Sequence, residues 1–181
     1  MVPAAVVSRY ETRARSICAI LFASLFLSLF VWLKIPLFFT PVPLVLQNSI
    51  AVALGVFLGA KRGAASVLLF LIYGVCGLPV FAGGVCGLSI LSKLSSLGYL
   101  LGYVFAAFVA GKMVERFPTR GYAAFLAGHL VILVCGAAFF ALAVGMKQAF
   151  YLGFVPFILI DLVKAGCCGA LFHHFSKSSI G

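Results

Sequence analysis

Apolar residues in this chain fall in long, nearly unbroken blocks. They do not show the strict alternation of a half-buried strand or the one-sided stripe of a surface helix. Six blocks read as membrane-spanning helices: residues 16–33, 44–60, 64–78, 97–111, 122–146 and 151–175. A span needs about 20 mainly apolar residues. The third block is short, and Pro79 marks its end. Polar residues punctuate the blocks. Arg15 and Lys34 bound the first, and Lys61-Arg62-Gly63 close the second. Lys112, Glu115, Arg116, Pro118 and Arg120 follow the fourth, and Lys147 separates the fifth from the sixth. Two intervals are neither span nor simple turn. Segment 35–43 carries Pro36, Pro41 and Pro43, which remove backbone donors and favour extended backbone. Segment 79–96 carries Gly83, Gly84 and Gly87, which permit close-packed backbone but poor helix.

Composition supports the membrane reading. The chain is 65% hydrophobic and only 9% charged, with a mean hydropathy of +1.26, whereas soluble domains carry about 25% charged residues. An ordinary soluble globule, a disordered tail and a collagen-like fibre are excluded. The expected fold is all-α, a polytopic bundle of six transmembrane helices with structured outer loops. One membrane domain spans 15–176, between tails 1–14 and 177–181. A signal peptide competes for the N-terminus. The first apolar run is long for one, however, and no A-x-A site follows it, so a retained span is expected.

The net charge of +10 would suggest nucleic acid in a soluble protein, but these cations are scattered between apolar blocks. No nucleic-acid partner is expected; the bilayer is. With the N-terminus inside, inner segments hold Arg9, Arg13, Arg15, Lys61, Arg62, Lys112, Arg116, Arg120 and Lys177, nine in all. Outer segments hold three, Lys34, Lys93 and Lys147. That asymmetry predicts a multi-pass protein of the cytoplasmic (inner) membrane with both termini cytoplasmic. It also places 35–43 and 79–96 on the outer side, as a lid over a pocket.

Asp161 is the one acid inside a span, and Lys164 follows at i+3 on the same helix face. A charge at the bilayer centre costs about 2.5–3.5 kcal/mol on insertion scales, so ionisable residues there are functional candidates. Either the two pair to fix the bundle, or Asp161 accepts N–H bonds from a ligand while Lys164 binds an anion. Gln47 and Asn48 stand at the start of the second span, as interfacial polarity or as amides reaching a ligand. Small residues at i, i+4 (Ala19 and Ala23, Gly55 and Gly59, Gly98 and Gly102) allow close helix approach. Ala19 and Ala23 are the pair most available to another subunit. His173 and His174 read as interfacial, and His129 as either a satisfied core histidine or a ligand contact. The six cysteines lack metal or C-x-x-C spacing and read as packing residues. No metal, cofactor or dinucleotide fingerprint is expected. An intramembrane enzyme using Asp161 and Lys164 is the rival class. No second intramembrane acid, His-x-x-Glu-His or Gly-x-Ser-x-Gly pattern supports it.

Four segments resemble the BioY family, the biotin-specific S components of energy-coupling factor (ECF) transporters. They are Pro41-Val42-Pro43-Leu44-Val45-Leu46-Gln47, the stretch from Gly74 to Gly84, Gly98-Tyr99-Leu100-Leu101-Gly102, and the stretch from Pro156 to Ala165 around Asp161 and Lys164. The family usually has threonine where Val45 stands, and Pro-Thr-Gly where Ser95-Ser96-Leu97 stand. The resemblance implies biotin binding from the outer face and uptake, with no enzymatic activity; the nearest alternative is the same architecture transporting a different small vitamin-like ligand. It implies that Asp161 accepts the ureido N–H groups and that Lys164 helps hold the carboxylate. Gln47, Gly83, Gly84 and Gly87 would close over the bicyclic ring, and Tyr99 would pack against it. It further implies a transmembrane coupling subunit docked at Ala19 and Ala23, and two ATPase subunits, since this chain has no P-loop of its own.

Overall fold

The computed structural model describes residues 4–90 and 94–178. Lys93, counted above with the outer cations, lies outside them. The helices are α1 (Ala4–Leu29), α2 (Gln47–Leu58), α3 (Ala60–Val75), α4 (Leu94–Arg116), α5 (Gly121–Val144), α6 (Met146–Ala149) and α7 (Val155–Ser178). A π-type turn, Phe150–Phe154, joins α6 and α7 into one rod, so six rods make the bundle. Pro156 lacks an N–H for the carbonyl of Leu152, which favours a widened turn there.

Four of these rods are long and apolar enough to cross a membrane: Arg13–Trp32, Ser96–Arg116, Gly121–Val144 and Met146–His174. The second and third expected spans come out shorter. At 12 and 16 residues, α2 and α3 reach about 18 and 24 Å at a rise of about 1.5 Å per residue, against an apolar layer of about 30 Å. The missing length of α2 lies at its start, where Leu44–Val45 are extended instead of helical. Leu44–Val45 (β2) pairs antiparallel with Lys34–Ile35 (β1), Lys34 opposite Val45. This ribbon carries the Pro-rich segment back over the end of the bundle. The turn between α2 and α3 is Gly59, at φ +82, rather than Lys61-Arg62-Gly63. Both cations therefore enter the first turn of α3. Glu115, expected in a loop, ends on α4 and accepts from the Ala60 N–H at 2.8 Å, satisfying a free donor at the start of α3. Its other oxygen meets Lys112 at 3.1 Å.

The exterior is apolar, with Phe22, Leu29, Leu142 and Leu159 all more than two-thirds exposed. Inside, small residues lie among large core side chains such as Phe70, Phe125 and Leu27. Ala51, Ala60, Ala106, Ala107 and Ala110 are fully buried. In lipid, where apolar side chains gain little by leaving solvent, close backbone approach supplies the packing. Gly55 is the tightest case, for a Cβ there would fall on the backbone of Ala107. Gly98 and Gly102 of α4 likewise lie against Cys135 and Ile132 of α5. His129 resolves as a core residue. Its ring bonds the Phe125 carbonyl through Nδ1 and the Ser49 hydroxyl through Nε2, both at 2.9 Å, and so ties α5 to α2.

Candidate functional site

At the end of the bundle closed by the ribbon lies a cavity of about 520 Å³, within the range of small-molecule sites. The Pro-rich segment and the loop after α3 cover it. That loop folds on itself through a bridge between Phe81 and Val85 and is anchored by the Gly83 N–H on the Val31 carbonyl at 2.9 Å. Tyr99, Tyr103, Phe81 and Phe157 give it aromatic walls, and Leu100, Ile132 and Leu133 add aliphatic surface.

The polar end is a connected network. Asp161 is only 2% exposed. Its Oδ1 accepts from Asn48 Nδ2 at 3.2 Å and from Lys164 Nζ at 3.3 Å. Lys164 Nζ also donates to the Val45 carbonyl at 2.9 Å and to Asn48 Oδ1 at 3.2 Å. The Ser49 backbone N–H donates to the same Asn48 oxygen at 2.8 Å. Acceptor and donor ends of the Asn48 amide are thereby fixed. Burying a carboxylate or an ammonium alone is prohibitive, whereas a paired and hydrogen-bonded set is tolerable. Asp161 and Lys164 pair with each other, and both line the cavity. The two bonds to Asp161 fall on Oδ1, and Oδ2 accepts none among the described residues.

Lys164 is engaged within the protein. An ammonium has three N–H groups, and Val45, Asn48 and Asp161 take them. A ligand carboxylate therefore finds no free donor there.

The remaining sequence candidates divide. Tyr99 lines the cavity, with its ring 6.3 Å from that of Phe157 and its hydroxyl donating to the Gly153 carbonyl at 2.5 Å. Gln47 borders the cavity, but its Nε2 donates to Val80 O at 2.9 Å and Leu27 O at 3.4 Å, pinning the loop and the end of α1 to α2. Its buried Oε1 has no partner among the described residues. Of the three glycines only Gly83 forms wall. Gly84 faces the Trp32 ring, and Gly87 faces open space. Ala23 is 5% exposed within this chain and Ala19 half-buried, so the open face of α1 is formed by larger residues such as Phe22 and Leu25. The small-residue pair therefore does not form that open face. Asn48 is central to the network, while from sequence it counted only as one of two amides near an interface. His173 stacks on Tyr122 at 4.9 Å. Among the described residues no cluster of His, Cys, Asp or Glu is placed to hold a metal.

A lipid-exposed helical bundle with a lidded, aromatic-walled polar cavity is a membrane-embedded solute-binding protein. The BioY family profile matches residues 5–180. The chain is 36% identical to the biotin transporter BioY of Rhizobium etli, covering 80% of this chain and 83% of that one. It is 41% identical to the probable biotin transporter BioY of Pyrococcus horikoshii, covering 69% and 75%. A crystal structure of the S-component for biotin from an ECF-type ABC transporter superposes with a TM-score of 0.80 at 26% identity, covering 92% of this chain and 93% of that one. This chain belongs to the BioY family, a multi-pass membrane family of transport proteins rather than enzymes.

Proposed function

We propose that this chain binds biotin in the lidded cavity and serves as the substrate-specific subunit of an ECF-type transporter in the cytoplasmic membrane. The observation that carries the reading is the buried Asp161 carboxylate, held on one oxygen by Asn48 and Lys164 and facing an aromatic-walled cavity. Biotin has a neutral head with two N–H donors, an apolar bicyclic middle and a flexible anionic tail. A carboxylate acceptor suits the head, since hydrogen bonds to an ionised partner are the strong ones. Tyr99 and Phe157 suit the bicyclic ring, while Gly83 brings the loop backbone close over it. Gln47, at the cavity wall, holds that loop in place.

Uptake against a gradient needs an energy source. The sequence carries no P-loop, so a coupling subunit and two ATPase subunits are proposed as partners. Both termini are proposed to lie on the cytoplasmic side, with the lid outside, following the cation asymmetry. The test is equilibrium binding of labelled biotin to the purified chain in detergent, with other vitamins as competitors and Asp161→Asn in parallel. Saturable binding that only biotin displaces, and that the variant loses, is the expected result. A folded protein that binds no biotin overturns the reading.

A further inference from the structure

We infer that Lys34, on the ribbon at the mouth of the cavity, is the residue that takes the carboxylate of the bound ligand. The inference rests on the biotin reading above and adds to it the anchor of the ligand's charged tail. Lys164 cannot serve, because its three N–H groups are donated to Val45, Asn48 and Asp161. Its charge is also offset by Asp161, whose own charge repels a second carboxylate. Among the described residues the cavity is lined by one other cation, Lys34. The Lys34 side chain makes no hydrogen bond or ion pair with the described residues, so its donors are free for a ligand.

Its position suits the task. Lys34 pairs with Val45 across the ribbon, which sets their Cα atoms about 4.5–5.5 Å apart. The carbonyl of that same Val45 receives Lys164. The ribbon thus holds the free ammonium at the mouth in fixed register with the neutralised one at the polar end. Gly83 provides the berth. A Cβ there would fall on Lys34 Nζ and lie 2.7 Å from Lys34 Cε, and Gly83 sits at φ +78, where side chains are strained. The absence of a side chain on the loop leaves the space that the Lys34 head occupies. A ligand with an N–H head at Asp161 and a carboxylate at Lys34 spans the cavity from end to mouth.

The test is calorimetric titration of the full chain in detergent with two probes, biotin and its neutral primary amide. Against biotin, Lys34→Gln is expected to weaken binding about five- to tenfold, as for an ion pair partly open to water. Against the amide it is expected to change little, and Lys34→Arg should keep most of the biotin affinity. Lys34→Gln should also flatten the salt dependence of biotin binding. Gly83→Ala, which displaces the Lys34 head, should lower the ratio of biotin to amide affinity in the same direction. Equal weakening toward both probes, or none toward biotin, overturns the assignment while leaving the biotin reading intact. A wild-type chain that binds neither probe overturns both.

Discussion

Replacing Asp161 with Asn removes one charge from the polar network and leaves Lys164 behind. Lys164 is 15% exposed at its side chain and Asp161 3%, so neither is well hydrated. At 3.3 Å and an effective dielectric of about 20, their attraction is about 5 kcal/mol. Breaking one side of a buried pair costs about 3–5 kcal/mol. Lys164 retains the Val45 and Asn48 oxygens, which puts the expected loss at the lower end, about 3 kcal/mol. The same change replaces an ionised acceptor by a neutral amide in front of the ligand. Hydrogen bonds to charged groups contribute about 1.5–3 kcal/mol, so biotin affinity should fall about 10- to 150-fold. Two assays separate the effects: thermal unfolding in detergent, and titration with labelled biotin. Asp161→Asn combined with Lys164→Met removes the orphaned cation and should regain most of the stability without regaining affinity. If Asp161→Asn binds biotin within about twofold of wild type, under about 0.5 kcal/mol, the carboxylate is not the head-group acceptor. If the double variant melts no higher than the single one, the ion-pair reasoning is wrong.

Four further outcomes follow from the packing. Gly55→Ala should destabilise by about 1–3 kcal/mol or prevent folding, because the new methyl meets the rigid Ala107 backbone. Gly166→Ala, with open space around its Cβ, should be neutral or stabilise by up to about 1 kcal/mol; melting curves of the pair check both. Tyr99→Phe keeps the ring against Phe157 and removes only the bond to Gly153. It should cost about 1 kcal/mol of stability with a much smaller loss of biotin affinity than Tyr99→Ala, read by titration. Gln47→Leu frees the Val80 and Leu27 carbonyls and should lower stability by about 1–3 kcal/mol. Because it unpins the lid loop, it should also speed biotin release in a chase experiment.

Block hydrophobicity by itself settles the class of this protein. Few sequences with so little charge can fold anywhere but in lipid. Helix type was equally legible, because a backbone in a bilayer must satisfy its own hydrogen bonds. The pair Asp161 and Lys164 stood out because charge is expensive in that setting and their i+3 spacing is local. Helix ends were less legible. The two-residue ribbon replaced the first turn expected of the second span, and Gly59 rather than the basic triplet made the turn. Glu115 reads as a loop acid in sequence. Only the arrival of α3 beside the end of α4 turns it into a cap.

What the sequence determined by itself was whatever depends on solvent and on neighbours along one helix: membrane class, rod number and the charged pair. The tertiary structure decided which groups share a hydrogen bond across the chain. Asn48 lies 113 residues from Asp161, and no local spacing foretells that their helices will cross there. The same crossing, together with the Val45 carbonyl on the ribbon, uses up the donors of Lys164. It turns Lys164 from an apparent anion site into a structural cation, and leaves Lys34 as the free charge. Donor satisfaction belongs to the whole assembly, because each N–H pairs with whatever acceptor the fold brings within 3 Å or so.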